Sequence, residues 1–299
     1  MDPASAFDWS LTAARALVYL ALLPTAGLPL YLLSTGRGAV LSGRLRAVLV
    51  VLAVTGAAAS AWWTLASVAA MAAQPITALD AATVSAVLDA TPLGLVMKVR
   101  LAALIALAAF ALLPLARWRL PLLALAGATA LFTCAYTGHA GASEGAMGHL
   151  HRLADEIHLL AAGTWLAALG VFLASAFGTS QDQPFEVRLA AFARTGTVIV
   201  AALMLTGVVN ALAILGWPLP PTFPSGLWAG VLAAKLALFG AMLGLAALNR
   251  WRLTPALASG DPGARTRLRR SLMLETALAL GVVALVALLG LLDPQPALT

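Results

Sequence analysis

Apolar runs of about 20 residues, separated by short polar stretches, recur along the whole chain. Wound as helix, such a run crosses the ~30 Å hydrocarbon layer of a bilayer. Leu and Ala fill the runs without two-residue alternation, which predicts helices rather than the strands of a barrel. Eight spans are predicted, at about 11–33, 47–71, 93–113, 121–137, 149–177, 192–215, 227–247 and 271–292. The fifth starts at His149 or His151, after a glycine-rich loop from His139 to Gly148. A longer acidic connection, 74–92, leads to the third span, and its end, VSAVLDATPLG, reads as a short surface helix. A polar linker near 178–188 separates spans five and six, and the charge-free turn GWPLPPTFPSG separates six and seven. The expectation is an all-α polytopic membrane protein, one domain over 1–299, with no short-period repeat.

Composition supports that solvent assignment. The 299 residues are 62% hydrophobic and only 10% charged, against about 25% charged in soluble domains. The net charge of +6 does not point to nucleic acid, because most of the 18 Lys and Arg lie in four connections. Arg37, Arg44 and Arg46 follow span one, Arg117 and Arg119 follow span three, Arg188 and Arg194 border span six, and the arginine-rich stretch 249–270 follows span seven. These four connections face the same side, so positive-inside bias puts both termini and the histidines outside the cytoplasm. Asp2 and Asp8 precede span one without a basic n-region, which predicts a retained helix rather than a secretory signal. The single cysteine, Cys134, excludes an internal disulfide.

Candidate chemistry concentrates in one stretch, YTGHAGASEGAMGHLHRLADEIHLLAAGTW, from Tyr136 to Trp165. It contains all four histidines, His139, His149, His151 and His158, together with Met147, Asp155 and Glu156. Neutral imidazole is a common metal ligand, and sulfur selects soft Cu(I). Cys134 lies about one turn before His139, and Met71 and Met97 belong to the same membrane level. His151 and His158 are seven residues apart, ~10.5 Å along a helix axis, too far for one ion with ligands at ~2.0 Å. Two arrangements follow. His139, His149 and His151, with Met147, form a loop-borne site, or His158 with Asp155 forms a deeper one, with Asp155 as ligand or orienting group. Trp165 then seals the floor. The competing readings are structural: Cys134 as a small buried apolar group, the methionines as packing residues, and Asp155 and Glu156 as acids near a helix N-terminus.

Charges inside the spans are costly and face the interior or a cavity. Lys98 and Arg100 lie near an interface and are expected to snorkel. Lys235 lies deeper and is expected to have a buried partner, either Asp155 or an acid of the outer loops, and Glu275 falls in the first turn of the last span. Thr206, Gly207 and Asn210 read as a close-packing group of span six. No ladder of Met, Cys or His continues toward the cytoplasm, since Met204 and Met242 stand alone. No general-base pair with specific spacing marks an enzyme.

Several motifs together resemble the CopD family of bacterial copper-resistance inner-membrane proteins. They are TGHA at Thr137, HLLAAGTWLAALG at His158, TPLG at Thr91, LTGVVNA at Leu205, GVLAAKLAL around Lys235 and LNRWRLTP at Leu248. Ala167 and Ala168 stand where relatives have two glycines, which puts close helix packing there in question. The resemblance implies eight helices in the inner membrane and copper handling at a periplasm-facing site. It also implies a periplasmic copper-binding partner of the CopC type and His139 and His158 as motif histidines. Two alternatives stay open. One is an electron-transfer protein carrying haem or using copper, and the other is a static copper-delivery factor for oxidase assembly.

Overall fold

A computed structural model describes residues 8–35, 41–114, 116–178, 185–219 and 226–294. The chain forms α1 (Trp9–Ser34), α2 (Gly43–Met71), α3 (Ala81–Ala90), α4 (Pro92–Leu112), α5 (Arg119–Phe132) and α6 (His139–Ala142). Then follow α7 (Gly145–Phe177), α8 (Phe185–Leu215), α9 (Leu227–Leu248), α10 (Thr254–Ala258) and α11 (Ala264–Leu289). Among the described residues, seven helices are long and apolar enough to cross a membrane: α1, α2, α4, α7, α8, the helix from α9 through α10, and α11. The predicted fourth span is shorter than expected. Its regular part, α5, has 14 residues, and residues 133–138 continue as turns.

The bundle is built on α1 and α7. α1 packs on α2, α5, α7 and α11, while α7 packs on α1, α8 and α11. In its most apolar window α1 is 67% buried, whereas α9 is 11% buried. The crossings of α1 need bare backbone. A Cβ on Gly27 would run into the Gly163 carbonyl of α7, and one on Gly127 of α5 would meet the Thr25 carbonyl. Small residues let membrane helices approach in this way. Gly163 supplies the close approach just ahead of Ala167 and Ala168, and both alanines are buried.

Local signals account for several helix starts. Asp8 accepts from the Leu11 N–H at 2.9 Å at the start of α1, and Ser42 caps α2 through Leu45. The short surface helix is present as α3. Asp80 caps it, accepting from the Thr83 N–H at 2.7 Å, and that donor holds its carboxyl below the ordinary aspartate range.

Four boundaries differ from expectation. α2 begins at Gly43, α8 at Phe185 and α11 at Ala264, each earlier than hydropathy placed it. A helix does not stop where its apolar stretch stops, because Arg and Leu are good helix formers in water as well as in lipid. Residues 185–188 of the supposed linker and most of the arginine-rich stretch 249–270 are therefore helical; residues 179–184 lie outside the described ones. The expected loop from His139 to Gly148 is instead the single-turn α6 followed by the first turn of α7. α11 beginning early moves Glu275 from a first turn to mid-helix, where it is 2% exposed.

Candidate functional site

One end of the bundle encloses a cavity of about 190 Å³ between α1, α7, α8, α9 and α11. His139, His151, His158, Asp155 and Cys134 all line it, with Arg15, Tyr19, Asn210 and Lys235. His139 enters from α6, immediately after the chain leaves α5, and the other two imidazoles come from the buried face of α7. The seven-residue spacing of His151 and His158 keeps both on that face.

Each of the three imidazoles is fixed through one ring nitrogen. His139 Nε2 lies 3.1 Å from the Leu289 carbonyl at the end of α11. A carbonyl only accepts, so Nε2 carries the proton and Nδ1 keeps its lone pair. His158 Nδ1 lies 2.9 Å from Thr206 Oγ1. That hydroxyl gives its proton to the Ala202 carbonyl at 2.6 Å, so His158 Nδ1 is the donor and Nε2 is the free acceptor. His151 Nδ1 lies 2.8 Å from Ser143 Oγ, whose proton is directed to the His139 carbonyl at 3.2 Å. The same logic frees His151 Nε2. A ring pinned through one nitrogen by an acceptor, with the other nitrogen basic, is the arrangement of metal-binding histidines.

Asp155, Arg15 and Lys235 line the same cavity as these rings. Asn210 donates to Asp155 Oδ1 at 3.3 Å, and Lys235 lines the same cavity as Asp155. Arg15 gives Nη1 to the Gly290 carbonyl at 3.2 Å, satisfying a terminal carbonyl of α11 as His139 does. Cys134 is buried, and its sulfur accepts from Arg100 Nη2 at 3.8 Å.

Other expected ligands sit apart. His149 is exposed and its Nδ1 accepts from Arg152 at 3.2 Å, so its lone pair is already used. Met147, at 57% exposed, lies outside the cavity lining, and so does Met71, at 60%. The loop-borne set of His139, His149, His151 and Met147 is therefore not assembled. The first turn of α7 holds residues 147–149 on a rigid helix, where a flexible loop would have let them fold inward. Trp165 does not floor this cavity. Its Nε1 donates to Glu275 at 3.0 Å in the other half of the bundle. Among the described residues, no group of three or more His, Cys, Asp or Glu stands ready-made to hold one metal ion.

Arg100 also departs from expectation. It does not snorkel but is 1% exposed, donating to Thr133 Oγ1 at 2.7 Å and Ser60 Oγ at 3.5 Å and stacking near Trp63. Thr206, Gly207 and Asn210 do more than pack α8: two of them hold His158 and Asp155, and a Cβ on Gly207 would only touch His158. Arg15 and Tyr19 were not foreseen as lining residues. The available signal was a lone arginine inside the first apolar run, which needs an internal partner.

Comparison with known proteins bears on what this cavity serves. The model of "Copper resistance protein D-like, N-terminal domain" matches residues 6–149, and that of "Copper resistance protein D" matches residues 186–289. Copper resistance protein D of Pseudomonas syringae pv. tomato is 39% identical over 219 residues, covering 69% of this chain and 70% of that protein. The chain belongs to the copper resistance protein D family. Inner membrane protein YebZ of Escherichia coli (strain K12) is 30% identical over 160 residues, 52% of this chain and 54% of YebZ. No solved structure matches the chain. Family membership ties the protein to copper resistance and to a multi-pass inner-membrane architecture. Most of α7, with His151, Asp155 and His158, falls between the two matched stretches, and helices from both pack against it.

Proposed function

We propose that this protein receives copper from the periplasm in the cavity bounded by His139, His151 and His158 and carries or relays it at the inner membrane. In this reading the chain is one transmembrane unit of eight spans, with α5 and its following turns as the fourth and both termini periplasmic. The observation that carries the reading is the trio of imidazoles around one cavity, each pinned at one nitrogen and basic at the other. Asp155 and Cys134 supply a carboxylate and a soft sulfur to the same space. The rings are not gathered on one point, so copper is held by few groups at a time and draws them together on arrival. Met147, exposed on the first turn of α7, is the outer contact from which copper enters. A periplasmic copper-binding protein of the CopC type delivers it there.

The cations shape the chemistry. Arg15 and Lys235 face the cavity, so an arriving cation is tolerated only where the Asp155 carboxylate offsets their charge and a free imidazole supplies a lone pair. That favours a singly charged soft ion over a harder divalent one and suits release as well as capture.

The test is copper content of purified protein loaded under reducing conditions. Wild type is expected to retain about one copper per chain, and His139→Ala and His158→Ala to retain less than a tenth of that. Equal retention by both variants would overturn the binding reading. A Soret band in the purified protein would favour the haem alternative. Copper uptake by sealed vesicles containing the protein then separates transport from static delivery.

A further inference from the structure

A second, larger cavity of about 330 Å³ lies at the opposite end of the bundle, between α7, α8, α9 and α11. Nothing in the copper reading uses it. Its walls are apolar and aromatic, including Phe172, Phe192, Leu243 and Trp251, and its polar groups gather around Glu275 and Asn249. Glu275 is 2% exposed and Asn249 7%. The carboxylate is satisfied within the protein: Oε1 accepts from Trp165 Nε1 at 3.0 Å and Oε2 from Asn249 Nδ2 at 2.9 Å.

That second bond fixes the Asn249 amide, because only its NH2 can donate to a carboxylate. The other end, Asn249 Oδ1, is buried and has no hydrogen-bond partner among the described residues. A buried acceptor without a donor is rare and calls for a missing partner. The missing partner must bring an O–H or N–H. It must also be otherwise apolar, and it must arrive from the bilayer. α8 packs on α7 and α9 on α11, but among the described residues α8 and α9 make little direct contact, so the cavity's outer side faces lipid between them. A phosphate headgroup is disfavoured by the buried carboxylate. Among the described lining residues the one cation, Arg250, has its Nη1 committed to Thr197 Oγ1 at 2.8 Å and to the Ala193 carbonyl at 3.3 Å.

We propose that this cavity binds the hydroxylated ring of an isoprenoid quinol, with Asn249 Oδ1 accepting from a ring O–H and the tail leaving between α8 and α9. The volume suits a ring head with its first tail unit, at the small end of ligand pockets. The aromatic side chains offer ring faces and edges to a flat guest. The polarity of the site selects the reduced form: a quinol donates to Oδ1, while a quinone has only acceptors and meets the amide oxygen with like charge.

The experiment titrates the full chain in detergent with decylubiquinol and with decylubiquinone, following quenching of tryptophan fluorescence, since Trp165 and Trp251 line the cavity. Wild type is expected to saturate with quinol and to bind it about tenfold more tightly than the quinone. In Glu275→Gln the carboxamide donates to Asn249 Oδ1 and turns the Asn249 NH2 toward the cavity, so the preference should reverse. Asn249→Leu should erase the preference, and Gly196→Trp, which fills the cavity, should abolish saturable quenching. Absence of saturable quenching in the wild type would overturn the proposal. So would equal competition by phosphatidylglycerol, or an unchanged quinol preference in both Glu275→Gln and Asn249→Leu. Copper retention, read on the same samples, stays at the wild-type level and separates this result from the fate of the copper reading.

Discussion

The two cavities share α7, α8, α9 and α11 but solve the problem of polarity in lipid differently. At the histidine end, α11 terminates, and its last carbonyls take donors from His139 and Arg15. Helix ends there provide acceptors at no cost to the ladder, so many polar side chains can be held and still keep one atom free. At the glutamate end α11 runs through without a terminus, and both oxygens of Glu275 are satisfied by side chains, one of them Asn249 where α9 gives way to a π-helical turn. One carboxylate there consumes two donors and leaves one orphan oxygen. The contrast teaches that helix termini allow a rich polar site, whereas mid-helix positions permit a sparse one that is highly directional.

The contrast can be broken by removing what the two ends share. Gly27→Leu forces α1 off α7 along its whole length and is expected to cost at least about 3 kcal/mol by overpacking. Folded yield in membranes should collapse and both cavities be lost together, while Gly170→Leu, at an exposed position where an added Cβ meets nothing within 4 Å, should behave as wild type. Glu275→Ala comes next. It strands Trp165 Nε1 and Asn249 Nδ2 and should lower stability by about 2–3 kcal/mol, read by thermal melting, with copper retention unchanged. Equal loss of copper would mean that the two ends are not independent.

Thr206→Val acts only at the histidine end. It removes the acceptor that sets the His158 tautomer, and copper affinity should fall about tenfold with little change in melting. His149→Ala should change affinity less than twofold, since Arg152 already occupies its lone pair. The smallest effect lies outside both cavities. Asp80 has a depressed folded-state pKa, so its contribution is present above the unfolded value of about 4 and is lost as pH falls through the lower folded value. Hydrogen exchange over residues 81–90 should rise only in that acidic window.

The architecture was legible because lipid imposes a single periodic requirement, about 20 apolar residues per crossing. Where the requirement lapsed, so did the reading: α8 and α11 run past their apolar stretches, and α5 is shorter than a span. Of the site, the cavity role of His139, His151 and His158 could be anticipated from their spacing and company. Met147 and His149 could not be excluded, because nothing in the letters tells a glycine-rich loop from a helix starting at Gly145. Arg15, 120 or more residues away in sequence, reaches the cavity only because α1 is the central helix. Asn249 was equally hidden, since its partner Glu275 was assigned to the wrong turn.

The threading of α1 between α5 and α7 has a consequence for biogenesis. This segment is synthesised before the helices it packs on, so the Gly27 face stays uncovered until Gly163 has been made, and Arg15 waits for Gly290. During that interval an arginine and a bare glycine seam sit in the membrane without their mates. Until then the newborn chain is exposed to quality-control proteolysis, and the seam closes only when α11 locks in.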